Sequence, residues 1–166
     1  MSDLTPRIGW HEFQSITVDA YAALTKLSMA IGASRLDLGL VETVKLRASQ
    51  INGCAFCTQY HLNAARKHGV PAEKLDLLVV WREAGIFSPR EQAALAWTEK
   101  LTLIAGNHVS DEDYAAVCAE FSTEEVAWLT TAIGLINTWN RIAGPLRFPP
   151  PIPRHEIQPK HETVNT

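Results

Sequence analysis

Apolar residues in this 166-residue chain recur at intervals of three and four, and almost nowhere do they alternate with polar residues at a period of two. That property restricts the fold more than any other, because a helix face repeats every 3.6 residues and a strand face every two. Glycine and proline fall mainly between the periodic segments, where they end elements rather than interrupt them. The pattern predicts an all-α fold of about seven helices. One domain is expected over residues 1–144, followed by a proline-rich tail over 145–166.

Individual helices can be placed by their stripes and caps. The first is predicted from about Phe13 to Met29. The second follows Asp37 and carries Val41, Val44, Ala48 and Ile51 on one face, until Asn52-Gly53 breaks it. A third begins at about Cys54 and ends at His68-Gly69, with Pro71 opening the next element. The fourth carries Leu77, Val80, Trp81 and Ala84, and Leu75, Leu78 and Val79 on a second flank predict burial on two sides. Ser88-Pro89-Arg90-Glu91, Ser110 and Ser122-Thr123-Glu124-Glu125 open three more helices in the manner of capping boxes. The last of these fades near Gly144-Pro145. Five prolines between 145 and 153 argue against a packed helix beyond it. Such a strap, if ordered, is expected to lie across a neighbouring subunit.

Charge and hydropathy narrow the functional classes. A net charge of -3 gives no electropositive field with which to hold a phosphate backbone, so nucleic acid is not an expected partner. No stretch approaches 18 apolar residues, and Met1-Ser2-Asp3-Leu4-Thr5-Pro6-Arg7 lacks the layout of a signal peptide. No membrane partner is expected, and a cytoplasmic location follows. In a reducing compartment three cysteines do not make a disulfide framework; a Cys-x-x-Cys pair there indicates redox chemistry or metal binding.

That pair is Cys54 and Cys57, with His61 four residues on. Spacings of three and four put all three side chains within a sector of about 60° on one helix face. Cys54 also sits at the helix start, where free N–H groups and the helix dipole favour a thiolate. Only the thiolate is a nucleophile, and an ordinary thiol is a few per cent ionised at neutral pH. His61 can take the proton, and Glu42 on the preceding helix is the candidate to orient the imidazole. The pattern then permits attack of Cys57 on a peroxide O–O bond and resolution of the sulfenic acid by Cys54. Nothing resembles a flavin or nicotinamide site, so no cofactor is expected and electrons must come from an external dithiol or reductase.

Glu42 and Cys54-x-x-Cys57-x-x-x-His61, preceded by Leu46-Arg47-Ala48-Ser49-Gln50-Ile51-Asn52-Gly53, resemble the alkylhydroperoxidase AhpD-like family of the carboxymuconolactone decarboxylase superfamily. Segments at Trp81-Arg82-Glu83, Glu91 to Ala96 and Asn137 to Arg141 extend the resemblance over roughly residues 15 to 143. It implies a compact orthogonal helical bundle, assembly into trimers or hexamers of dimers, and reduction of hydroperoxides. Its proton relay maps onto Glu42 and His61, with Cys57 attacking and Cys54 resolving. Phe56 stands where the prototype has a second histidine, and a phenyl ring cannot shuttle a proton. The decarboxylase branch lacks the cysteine pair.

Other readings of these residues stay open at this level. Cys54 and Cys57 could be small core residues one turn apart, a non-peroxidatic thiol–disulfide centre, or an oxidation sensor in a helical oligomer. With His61 and Glu42 they could also supply four zinc ligands. Cys118, among Tyr114, Val117 and Phe121, reads as a buried core residue. His11, His68, His108, His155 and His161 fall at predicted helix ends or in the tail. Trp81, Trp97, Trp128 and Trp139 read as packing or subunit contacts, and Tyr60 as a residue bordering the motif.

Overall fold

Residues 5–153 are described by the structure, a computed structural model. The opening Met1 to Leu4 and the tail from residue 154, with His155 and His161, lie outside the described residues. Among the described residues the chain forms nine α-helices and one 3₁₀ turn, with no strand. They are α1 (Trp10–Ile16), α2 (Val18–Gly32), α3 (Leu38–Ile51), α4 (Ala55–Lys67), α5 (Ala72–Asp76), the 3₁₀ turn Leu78–Val80, α6 (Trp81–Ala84), α7 (Pro89–Thr102), α8 (Asp111–Cys118) and α9 (Thr123–Leu146).

Nine helices rather than seven arise at two places. The segment expected as one helix from Phe13 starts earlier, at Trp10, and breaks at Thr17, whose backbone leaves the helical region at φ -120° and ψ 39°. Ile16, Thr17 and Val18 are consecutive β-branched residues, and the Thr17 hydroxyl donates to the Phe13 carbonyl at 2.6 Å, so side-chain crowding and back-bonding favour a corner. The second place is the expected fourth helix, which divides into α5, the 3₁₀ turn and α6. Leu75, Leu78 and Trp81 are buried, three residues apart, which is the pitch of a 3₁₀ turn rather than an α-helix. Leu77, Val79 and Val80 consequently point outward and are exposed, so the predicted burial on two flanks does not occur.

α3 is the central element. Its Leu40, Val41 and Val44 enter the core formed with α2, α7, α8 and α9; Ala48 enters a second cluster with Phe13, Cys54, Cys57, Ile136 and Phe148; Leu46 enters a third around Leu78 and Trp81. Buried residues therefore surround it on nearly every side. Its N-terminus is capped by Asp37, which accepts from the Leu40 N–H at 2.8 Å. The predicted capping boxes at Ser88/Glu91 and Ser122/Glu125 both form, and Ser110 makes a third with Asp113. Cys118 is half-buried at the edge of the first core rather than fully enclosed.

The two ends of the described chain meet. α9 continues through Pro145 to Leu146, beyond the expected end, since proline's fixed φ is helical and only one N–H is lost. The last carbonyls are not orphaned: Pro145 accepts from the Arg7 guanidinium at 3.1 Å and Leu146 from the Arg7 N–H at 3.0 Å. The described part of the proline-rich strap turns back over its own chain. Phe148 is buried against Trp10, Phe13 and Phe56, and Asn63 donates to the Pro151 carbonyl at 3.0 Å. An aromatic ring two residues beyond the helix end, with an open apolar slot beneath it, makes the intramolecular route favourable. No helix of the described residues is long and apolar enough to cross a membrane.

Candidate active site

The turn between α3 and α4 builds the site. Gly53 adopts φ 65°, a conformation that other residues reach at a cost, and it reverses the chain within Asn52 to Cys54. The two helices then run antiparallel and bring residue 42 of one beside residue 61 of the other. Cys54 is the N-cap of α4, so it precedes the helix it was expected to begin. Its sulfur accepts from the Cys57 N–H at 3.2 Å. A polar clamp holds the turn to α9: Asn52 donates to Asn137 at 2.9 Å and to Asn140 at 2.8 Å, while Asn140 donates to the Ser49 hydroxyl at 3.1 Å. A second clamp joins Arg47, Trp81 and Arg82 to Glu99. These two networks give structural roles to the segments around Trp81 and Asn137.

Cys54 and Cys57 are joined as a disulfide across a Cα–Cα distance of 5.4 Å, with 1% and 2% of their surfaces exposed. His61, one turn further along α4, holds a hydrogen bond between Nδ1 and Glu42 Oε2 at 2.6 Å. The other carboxylate oxygen, Oε1, accepts from Lys45 Nζ at 2.9 Å. All four predicted residues thus lie in one place. Among the described residues no group of three or more His, Cys, Asp and Glu is arranged to hold a metal ion. Both Glu42 oxygens are already engaged, and the sulfurs are bonded to each other.

Burial and charge set the protonation states. Burial acts to raise the Glu42 carboxyl, but the hydrogen bond and charge of His61, with those of Lys45, outweigh it and hold the group at about 2. Burial is also the largest influence on His61 and lowers it below the ordinary imidazole value, although Glu42 opposes this. A neutral His61 donating through Nδ1 to a Glu42 carboxylate leaves Nε2 with its lone pair free, which is the form a general base requires.

A cavity of about 170 Å³ opens beside these groups. Cys57, His61 and Lys45 face it at one end. Trp10, Tyr21, Phe56, Tyr60 and Trp139 supply an aromatic wall, with Trp10 at 5.3 Å from Phe56 and 5.9 Å from Trp139 between ring centroids. Trp139 therefore lines the cavity as well as packing, and Tyr60 borders it with more than half its surface exposed. Sequence reasoning missed Lys45, Trp10 and Tyr21. Lys45 had a usable signal, its i,i+3 spacing from Glu42. Trp10 and Tyr21 reach the site only through the corner at Thr17.

The fold and these side chains define a helical dithiol protein with a carboxylate–histidine pair beside the cysteines. The chain belongs to the carboxymuconolactone decarboxylase family, whose model matches residues 18–100, and within that superfamily it is AhpD-like. It is 42% identical over 102 residues to the uncharacterized protein YdfG of Bacillus subtilis (strain 168), a match spanning 61% of this chain and 69% of YdfG. ATU0492 of Agrobacterium tumefaciens, a protein of unknown function provisionally called an antioxidant defence protein AhpD, has a crystal structure that superposes with a TM-score of 0.84. The identity is 36%, covering 90% of this chain and all of that one. The debrominase Bmp8, solved in complex with 2,3,4-tribromopyrrole, shares the fold at a TM-score of 0.69 and 18% identity, covering 80% of this chain and 71% of that chain.

Proposed function

We propose that this protein is a thiol-dependent peroxidase in which Cys57 attacks a hydroperoxide, Cys54 resolves the product, and Glu42 and His61 relay the proton. The observation that carries this reading is the 2.6 Å hydrogen bond from His61 to Glu42 on the helix that precedes the cysteines, at a cavity that Cys57 also lines. Glu42 fixes the imidazole tautomer, so Nε2 is the nitrogen left to accept the Cys57 proton. Sulfur oxidised to a sulfenic acid lies one turn from Cys54, close enough to condense to the disulfide present here. An apolar aromatic wall suits the organic part of a hydroperoxide better than hydrogen peroxide alone. An external dithiol restores the thiols, in keeping with a reducing, cytoplasmic setting.

The test counts thiols. The reduced protein should lose two of its three thiols on one equivalent of an organic hydroperoxide and regain them with a dithiol. Cys57→Ser should abolish the first step, and Cys54→Ser should leave a sulfenic acid that a dimedone probe captures. Consumption no faster than by free cysteine would dismiss the peroxidase reading. A second reading is favoured by the aromatic wall alone: the same dithiol reduces a different electrophile carried on a flat ring. It would be supported by thiol loss with a haloaromatic and none with hydroperoxide. We also take the chain to assemble with copies of itself. Exposed Val79 and Val80 beside the third core offer an apolar face, and light scattering gives the subunit number.

A further inference from the structure

Lys45 is a buried charge that none of the steps above employs. Its side chain is 8% exposed and makes one hydrogen bond among the described residues, to Glu42 Oε1. An ammonium group carries three donors, so two remain for what enters the cavity that Lys45 lines. A lysine whose task was only to neutralise Glu42 could do so from the surface, with its stem along the protein and its head in water. Here the head is held inside. The antiparallel register that pairs Glu42 with His61 carries Lys45, three residues further along α3, toward the level of Cys57 on α4. Among the described residues no other lysine or arginine lines the cavity, whose hydroxyls come from Tyr21, Thr25, Ser28 and Tyr60, the last at its exposed edge.

We propose that Lys45 is a catalytic residue that receives the leaving oxygen of the hydroperoxide. The inference rests on the peroxidase reading given above. Cys57 gives its thiol proton to His61 Nε2, and the thiolate pair forms a bond to the terminal peroxide oxygen. The O–O bond breaks, its electron pair departs on the alkoxide oxygen, sulfur becomes a sulfenic acid and the peroxide is reduced. Lys45 donates a hydrogen bond to that alkoxide while negative charge develops on it, and the imidazolium of His61 then returns the proton to give the alcohol. Cys54 next attacks the Cys57 sulfur, forming the disulfide, and the displaced hydroxyl leaves with the Cys54 proton as water. Glu42 serves both ends, orienting the base through one oxygen and anchoring the cation through the other. A preorganised donor aimed at developing charge in a water-poor site contributes chiefly in the transition state.

The dependence on leaving group tests this role. In a Cys54→Ser background, which stops at the sulfenic acid, rates would be measured by rapid mixing with tert-butyl hydroperoxide, which releases a strongly basic alkoxide. Peracetic acid, which releases a weakly basic carboxylate, provides the comparison. Lys45→Met should slow the first reaction by about 100-fold and the second far less, and Lys45→Arg should restore most of the loss. Lys45→Gln, which keeps a donor to Glu42 without the charge, serves if the methionine variant does not fold. Equal losses with both oxidants would overturn the role of Lys45, since an effect routed through Glu42 and His61 acts before the O–O bond breaks. If the parent itself reacts no faster than free cysteine, the peroxidase reading falls and this inference with it.

Discussion

Replacing Glu42 by glutamine removes the one negative charge that two buried partners share, and the structure allows the consequence to be worked out. Lys45 Nζ lies 2.9 Å from Glu42 Oε1 with both side chains nearly enclosed. At an effective dielectric constant of about 20 that separation corresponds to roughly 6 kcal/mol of attraction, a gross figure that water entry and relaxation reduce. Deleting one member of such a pair strands the other, and Glu42→Gln should cost about 3–5 kcal/mol of folding stability, against about 0–1 for a surface pair. Lys45→Met should cost less, because the carboxylate keeps His61. The double variant strands nothing, so it should be more stable than Glu42→Gln alone, with a coupling of about 2 kcal/mol or more. Urea unfolding at pH 7, followed by the fluorescence of the five tryptophans, measures all four proteins. The double variant also separates stability from chemistry: it should fold and still show slow, unactivated thiols. Additivity of the two losses within about 0.5 kcal/mol would refute the reasoning, because the charges would then not be coupled.

Three further outcomes follow from the same geometry. His61 is lowered from an ordinary value of 6.5 by burial, and Glu42 from 4.5 to about 2, so in both cases the unfolded chain binds protons more readily. Stability should therefore decline as pH falls below about 6.5, with the Glu42 share intact above its unfolded value and lost as pH drops toward 2; urea midpoints from pH 7 to pH 3 should fall, and a flat profile would contradict the assignment. Glu42 raises the basicity of His61, so Glu42→Gln should raise the apparent thiol pKa and move the acid limb of the thiol rate to higher pH, as His61→Gln should; unchanged profiles in both would remove them from the relay. Phe148→Ala should cost about 3–5 kcal/mol by emptying the slot between Trp10, Phe13 and Phe56, and an unaltered unfolding midpoint would mean that the strap is not docked.

Local signals carried most of the architecture. Capping serines followed by an acidic residue, glycine at a reversal and apolar steps of three and four are properties of neighbouring residues, and α3, α4, α7, α8 and α9 were legible from them. The misplacements involve competition between local and distant forces. Ile16-Thr17-Val18 has enough apolar character to continue a helix, and only the crowding of three branched side chains and the back-bond to Phe13 turns it into a corner. Around Leu78 an α stripe and a 3₁₀ stripe both fit the apolar residues. Which one forms depends on where Leu46, Trp81 and Phe87 wait to receive them. In the site, Glu42, Cys54, Cys57 and His61 could be paired in advance because two adjacent helices and one turn place them. The aromatic wall could not, because Trp10, Tyr21 and Trp139 converge from three helices, one of them far away in sequence. The course of the strap is hidden for the same reason, since its docking slot is also assembled from distant residues.

Phe56 shows why membership in this family constrains the reaction less than the cavity does. A histidine in that position would face Trp10 at 5.3 Å, Phe148 at 5.5 Å and Tyr60 at 6.1 Å, rings that offer no acceptor comparable to the Glu42 carboxylate. Phenylalanine instead completes the aromatic cluster and helps seal the end of the strap over Cys54 and Cys57. The relay proposed here consequently runs through His61 alone, and the proton taken from Cys57 has to return by the same imidazole. A single base that must be recharged within each turnover benefits from a second group that tolerates negative charge in the interval. Lys45 is the cation placed to do so, and its pairing with Glu42 keeps it at the cavity while His61 changes protonation state. In the proposed mechanism Phe56 and the buried Lys45 thus belong to one proton inventory. The proposed function rests on that inventory rather than on the helical frame.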